Sequence, residues 1–98
     1  MPSDLHYICK HGLNHRHLGE QMHESGDWTA SDDLASQAVG GRFYLHEHQK
    51  GRAWHGGTIV SWRFAPDGRR KVFIYKVDRE FRVGCPGKWA RQKAVVRR

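Results

Sequence analysis

The sequence predicts an α+β protein of 98 residues, in which a small curved antiparallel sheet closes, or nearly closes, into a pseudo-barrel with one or two short helices. Several short runs alternate apolar and polar residues with the period of two that marks a half-buried strand. One capped apolar segment, 32–39, has helical spacing. A glycine pair, Gly56 and Gly57, interrupts the longest strand-like run, which favours a bend or a close approach between backbones.

The N-terminal segments are a strand and a polar stretch rich in histidine. Residues 5–10 alternate between two faces and predict the first strand. In the polar stretch that follows, Leu18 and Met22 lie four residues apart, which is compatible with a short helix over about 17–24. This segment is therefore the second of the two helices that the fold prediction allows.

The helix at 32–39 has signals at both ends. Ser31 is a favourable N-cap, and Asp32 and Asp33 suit the positive end of the helix dipole. Gly40 is a natural stop after the last apolar residue. These signals together predict a helix of about two turns.

The rest of the chain predicts strands. Two runs, 42–48 and 57–64, alternate in the strand pattern, and a Pro-Asp-Gly turn leads from the second run to the apolar run 70–77. Runs 57–64 and 70–77 should form an antiparallel hairpin. Two valines at 95–96 are compatible with a last strand that closes the sheet.

Positive charge is concentrated in the C-terminal third. Residues 69–98 hold eleven Lys/Arg against two acids, a charge of +9, whereas residues 1–68 hold six against eight, a charge of −2. This asymmetry favours an anionic partner, and nucleic acid is the commonest one. A solvated basic face that only keeps the protein soluble is the alternative.

Several classes of protein do not fit the sequence. No apolar run reaches the 18 residues of a membrane span, and the N-terminus lacks the basic and apolar parts of a signal peptide. Cys9 and Cys85 are far apart and are expected to be plain buried thiols. The expectation is a single cytoplasmic domain over 1–98, with a basic segment at 79–98 and no contact with a membrane.

Three motifs carry a resemblance to a known family. Trp28 precedes the helix, the run Gly-Gly-Arg-Phe-Tyr-Leu-His spans 40–46, and Trp-His-Gly-Gly-Thr-Ile spans 54–59. Over about residues 5–77 the chain resembles the PUA-like superfamily of small pseudo-barrels, in particular its EVE and ASCH branches. It departs from their pattern at Arg42, where an acidic residue is common.

The resemblance implies that the protein binds nucleic acid, often with a flipped or modified base held in an aromatic cleft. The positions that match are Trp28, Thr29, Tyr44, His46 and Trp54. An extruded base needs flat side chains for stacking and a few polar groups at its edge, which these residue types supply. A tryptophan more often fills the core than it serves as a stacking platform, so for Trp28 and Trp54 this alternative stays open.

A basic layer outside the cleft would hold the phosphates and make binding depend on salt. The candidates are Arg69, Arg70, Lys71, Arg79, Arg82, Lys88, Arg91 and Lys93. Trp89 lies among the last of these, and an aromatic residue between basic ones favours nucleic acid over an acidic protein.

Two alternatives belong to other classes. Some ASCH-like proteins hydrolyse modified nucleosides with a lysine, a glutamate and a threonine, but no stretch of this chain matches that motif position by position. A basic module that docks an acidic protein is the other alternative. The sequence therefore predicts no catalytic residues and no cofactor.

Eight histidines raise the question of a metal. His46 and His48 would share one face of a strand, but no histidine or cysteine spacing matches a recognised zinc motif. The sequence therefore predicts no obligate metal site.

Overall fold

The computed structural model describes residues 2–10, 15–77, 83–85, 89 and 93–97. Within these residues it has seven strands and one helix. In chain order they are β1 (Ser3–Ile8), β2 (Arg16–Gly19), β3 (Met22–Trp28), α1 (Asp32–Ala38), β4 (Arg42–His46), β5 (His55–Phe64), β6 (Lys71–Val77) and β7 (Lys93–Arg97). The α+β prediction is confirmed.

Helix α1 is confirmed together with its cap. The Ser31 hydroxyl accepts a hydrogen bond from the Leu34 amide at 3.1 Å, which satisfies one of the free donors at the helix start. Ala35 and Ala38 are fully buried, and their small side chains let the helix lie close to β1 and β5. The described part of the chain contains no helix whose length and apolarity would let it cross a membrane.

The prediction of a helix over 17–24 is wrong, because this segment forms the hairpin of β2 and β3. Its turn uses Gly19 and Glu20, both with positive φ. Leu18 is 46% exposed, so the spacing of Leu18 and Met22 does not mark a buried helix face. Pairing of β3 with β6 outweighs a weak local preference for helix.

The sheet has the strand order β2-β3-β6-β5-β4-β1-β7. All neighbours are antiparallel except β1 and β4, which are parallel, so the prediction of an antiparallel sheet is corrected at this pair. Parallel neighbours require a crossover connection, and here β2, β3 and α1 provide it. The predicted hairpin of β5 and β6 is confirmed, with a register shift between Ile59 and Ser61.

The sheet is strongly curled. Strands β3 and β1 are four places apart in the sheet order, about 19 Å in a flat sheet. Yet the rings of Tyr7 on β1 and Trp28 on β3 stack with centroids 4.5 Å apart, and the Tyr7 hydroxyl donates to the Thr29 carbonyl at 3.1 Å. The concave face therefore wraps around the core.

The curled sheet is not closed. Strand β7 confirms the predicted last strand, but among the described residues it pairs only with β1, and β2 pairs only with β3. The open side between the end of β3 and β7 is called the seam below. One contact that crosses it is the Lys93 ammonium, which donates to the Thr29 carbonyl at 3.1 Å.

The concave face and α1 enclose the core. Its largest fully buried apolar side chains are Leu5, Tyr7, Phe43, Leu45, Ile59, Phe73 and Tyr75. Because successive residues of a strand point to opposite faces, Tyr44 and His46 lie on the convex face while Phe43 and Leu45 lie on the concave one. Candidate functional residues are therefore divided between the two faces.

Candidate functional site

The structure does not bring the five predicted cleft residues together. Trp28 lies in the core: it is 7% exposed, its ring stacks on Tyr7, and its indole N–H donates to the Ser25 hydroxyl at 2.9 Å. Its indole donor is bonded within the protein and little of its ring reaches the surface. Trp28 thus fills space on the concave face and offers no surface to a base.

Tyr44 and His46 lie on the convex face, within a buried aromatic group. The His6 ring stacks on Tyr44 with centroids 4.6 Å apart, and a hydrogen bond of 2.8 Å joins His6 Nδ1 to His46 Nε2. The Trp89 ring meets the His46 ring edge-on at 5.2 Å, and its N–H donates to the Gln49 carbonyl at 3.0 Å. Tyr44, His6 and His46 are all buried, so this group is internal.

The tautomers of the His6–His46 pair follow from its hydrogen bonds. His46 Nδ1 donates to the Gly51 carbonyl at 3.0 Å, so His46 Nε2 accepts the proton that His6 Nδ1 donates. Burial, reinforced by the neighbouring His46, lowers the pKa of His6 to about 4, although Asp4 acts in the opposite direction. Burial also lowers the pKa of His46. Both rings are neutral at pH 7.

This pair should make the stability depend on pH. Between the unfolded pKa of 6.5 and the folded pKa of about 4, the unfolded state binds more protons at His6. As the pH is lowered through that range, the free energy of unfolding should therefore decrease. The contribution of His6 to this decrease should be about 2–3 kcal/mol. Urea unfolding at pH 7.5 and pH 5.0 measures the difference.

Two variants isolate the effect. In His6→Asn the amide N–H₂ takes the place of the donor Nδ1, so the stability lost on acidification should shrink relative to wild type. His48→Asn, which removes an exposed histidine beyond β4, should leave that loss unchanged. An equal acid-induced loss in wild type and His6→Asn would contradict this account of the pair.

Trp54 lies apart from both Trp28 and the pair Tyr44 and His46, at one end of the concave face. Its indole N–H donates to the Cys9 carbonyl at 3.2 Å, and its ring stacks on His55 with centroids 5.5 Å apart. Cys9 is half-buried here, and burial raises the pKa of its thiol to about 11. Trp54 is therefore the only predicted cleft residue found beside this half-open end.

The same end carries a cluster of three histidines, His15, His23 and His55, called the histidine cluster below. One ring nitrogen of each lies within 4.8 Å of the others. His15 and His23 face each other through their Nδ1 atoms at 3.4 Å, and His55 Nε2 lies 2.8 Å from the Tyr75 hydroxyl. Imidazole nitrogens at this separation can hold a metal ion.

The curl of the sheet assembles this cluster. His23 pairs with Tyr75 across β3 and β6, and Tyr75 pairs with Ile59 across β6 and β5, so His23, Tyr75 and the alternate residue His55 share the concave face. Burial first, and then the neighbouring histidines, lower the pKa of His23 and of His55, the latter to about 4. Both rings are thus neutral at pH 7, the form in which imidazole binds metals.

Sequence spacing could not reveal this cluster. Its members come from the segment before β2, from β3 and from the start of β5. Metal motifs that can be read from sequence place their ligands a few residues apart. The sequence signal for this site is the number of histidines, eight, which does not indicate which of them lie close together in space.

Four of the other predicted residues do come together, at the seam. A groove of about 380 Å³ is lined by Thr29, Ala30, Asp67, Arg69 and Arg70, and is called the seam groove below. Lys93 lies beside it, since its ammonium binds the Thr29 carbonyl. Thr29 was predicted for the cleft and the three basic residues for the phosphate layer, and here they share one surface.

The turn between β5 and β6 fixes the two arginines of the groove. The Asp67 carboxylate accepts hydrogen bonds from the backbone amides of Arg69 and Arg70, both at 2.9 Å, and from the Arg70 side chain at 2.7 Å. These bonds hold the pKa of Asp67 well below its usual range. Arg70 is thereby oriented, while the Arg69 guanidinium is exposed and forms no ion pair with any described residue.

Lys71 has a structural role. Its side chain is 3% exposed, its ammonium lies 3.0 Å from the Asp32 carboxylate, and it contacts the rings of Trp62 and Phe64 at 5.4 and 4.6 Å. It is therefore unable to reach a phosphate without leaving these partners. The candidates Arg79, Arg82, Lys88 and Arg91 lie outside the described residues.

Comparison with known proteins returned nothing: no family model, curated protein or solved structure matches this chain. The resemblance to the PUA-like superfamily therefore stays a prediction.

Proposed function

We propose that this protein binds nucleic acid without catalysing a reaction on it, and that the seam groove holds the sugar-phosphate backbone. The charge distribution supports this proposal, since residues 69–98 carry a charge of +9 and residues 1–68 a charge of −2. Lysine and arginine side chains supply most of the free energy of binding to a polyanion, largely by releasing its counterions.

The observation that carries the proposal is the convergence at the seam. Thr29 follows β3, Arg69 and Arg70 belong to the turn before β6, and Lys93 begins β7. Arg69 and Arg70 thus line the groove and Lys93 lies beside it, and Thr29 adds a hydroxyl of the kind that contacts phosphate oxygens. The volume of the groove, about 380 Å³, is large enough for a nucleotide unit.

An aromatic side chain close to these arginines can add stacking. Phe64 ends β5 and is 47% exposed, and the Lys71 ammonium that contacts its ring also donates to the Arg69 carbonyl at 2.9 Å. Because a base can stack on an exposed aromatic only when it has left a duplex, a single-stranded segment makes fuller use of this surface. A pocket for a flipped base is not part of the proposal, since the five predicted cleft residues lie apart.

Binding of a fluorescent 12-nucleotide RNA or DNA at several salt concentrations tests the proposal. Wild type should bind single strands with an affinity that falls steeply with salt. Arg69→Ala should weaken binding about tenfold and reduce the slope of log K against log salt by about 0.7, the contribution of one phosphate contact on a single strand.

The matched control is Arg52→Ala, which removes the same charge from an exposed position outside the seam groove. It should change the affinity by less than about twofold. Equal losses in the two variants would mean that only net charge matters and would remove the seam groove from the proposal. No binding by wild type at low salt would overturn the function and favour an acidic protein as the partner.

A further inference from the structure

We propose that His15, His23 and His55 form a binding site for a divalent transition-metal ion of the zinc class. This site is separate from the proposed nucleic-acid surface, because none of the three histidines lines the seam groove. It also differs from the pair His46 and His48 that the sequence suggested. Its three members are far apart in the sequence, with separations of 8, 32 and 40 positions.

The distance between His15 and His23 matches the geometry of zinc. In a tetrahedral site with Zn–N bonds of about 2.0–2.1 Å, two ligand nitrogens are separated by about 3.3 Å. The Nδ1 atoms of His15 and His23 are 3.4 Å apart and face each other. The separation of these two nitrogens is therefore already close to that of two ligands of one metal ion.

His55 supplies the third nitrogen. Its ring centroid is 4.5 Å from that of His15 and 5.1 Å from that of His23, and the three ligand atoms lie within 4.8 Å of one another. His15 and His23 are only half-buried, so rotation of their side chains can bring all three nitrogens to bonding distance. His55 is the fixed member, since it is 9% exposed and begins β5.

Tyr75 completes the site as a supporting residue. Its hydroxyl lies 2.8 Å from His55 Nε2. When the Nδ1 atom of His55 binds the metal, Nε2 carries the proton and donates it to the Tyr75 oxygen, which fixes both the tautomer and the ring orientation. Metal-binding histidines generally have such a second partner.

The ligand set leaves a coordination position open. Three imidazoles occupy three corners of a tetrahedron, and the fourth is available to water or to a small exogenous ligand. Trp54 forms a wall of this space, because its ring is 5.5 Å from the His55 ring and 5.6 Å from the His15 ring. Trp54, which lies away from the other predicted cleft residues, thus belongs to the metal site.

Titration of the full chain with Zn²⁺ tests the proposal. The protein should carry no polyhistidine tag and should be stripped of metal with a chelator before calorimetry. Wild type should bind one equivalent, and Co²⁺ in the same site should give the intense visible absorption of a four-coordinate ion. His15→Ala and His23→Ala should each weaken Zn²⁺ binding by about 100-fold or more, and Tyr75→Phe by about tenfold.

The control is His48→Ala, which removes an exposed histidine beyond the end of β4 and should leave the affinity unchanged within about twofold. His15 and His23 are half-buried at the rim, so their variants should keep the wild-type circular dichroism in the absence of metal. The proposal is overturned if wild type shows no saturable binding at one equivalent. It is equally overturned if folded His15→Ala and His23→Ala bind as tightly as wild type.

Discussion

Replacing Phe43 by alanine is expected to remove about 3–5 kcal/mol from the free energy of unfolding. Phe43 is fully buried at the centre of the concave face, where its ring lies 5.0 Å from Tyr75 and 5.7 Å from Phe73. The alanine leaves a cavity between strands that cannot collapse, because β4 is held by β1 on one side and β5 on the other. The total free energy of unfolding of a domain is typically about 5–15 kcal/mol, so urea unfolding should show the loss of a large part of it.

Phe64→Ala is the matched control, because the same side chain is removed from a position that is 47% exposed. It should cost about 1 kcal/mol or less, since nearly half of the surface of Phe64 is already in contact with water. Similar losses in the two variants would contradict the assignment of Phe43 to the centre of the core.

Gly57→Ala is expected to have the second-largest effect on stability. A Cβ atom at this position would overlap the backbone carbonyl oxygen of Lys76 and lie 3.0 Å from the Cα of Val77. These are backbone atoms of β6, which is paired on both sides, so they cannot rotate away as a side chain can. The loss should reach the upper part of the range of about 1–3 kcal/mol that is typical of overpacking.

Gly51→Ala provides the comparison for this variant. Its added methyl group would be 3.8 Å from the His48 carbonyl oxygen, an ordinary contact. Thermal unfolding should show a clearly lower midpoint for Gly57→Ala and almost no change for Gly51→Ala. A Gly57→Ala protein as stable as wild type would show that β5 and β6 are not as close as described.

The parts of the fold that follow from local chemistry could be predicted from the sequence. Helix α1 has its N-cap, its acidic first turn and its buried alanines within eight residues, so short-range signals determine it. The turn between β5 and β6 is equally local, because Asp67 makes its hydrogen bonds within the turn itself. The close approach that the glycine pair predicted is present at Gly57.

The parts that depend on long-range pairing could not be predicted. The segment 17–24 has a weak helical spacing, and it forms strands because β6 offers it a partner about fifty residues away. The parallel pairing of β1 with β4 and the open seam are likewise properties of the whole sheet. No local sequence pattern indicates which strands lie at the open edges of the sheet.

The candidate sites show the same division. Residue type and charge identified Arg69, Arg70 and Lys93, but only the curled sheet places them beside Thr29. Sequence could not show that Lys71 points inward to Asp32, because this follows from the position of α1 on the sheet. Residue type alone therefore does not separate surface cations such as Arg69 from structural ones such as Lys71.

The central claim is that nucleic acid binds at the seam, and amide chemical-shift mapping tests it most directly. The ¹⁵N–¹H spectrum of the labelled protein would be recorded while a single-stranded oligonucleotide is added. The account predicts that the largest shifts appear at Thr29 and Ala30, at 67–71 and at Lys93. Shifts concentrated instead around Arg16 and Glu24 on the convex face, or no shifts at all, would contradict it.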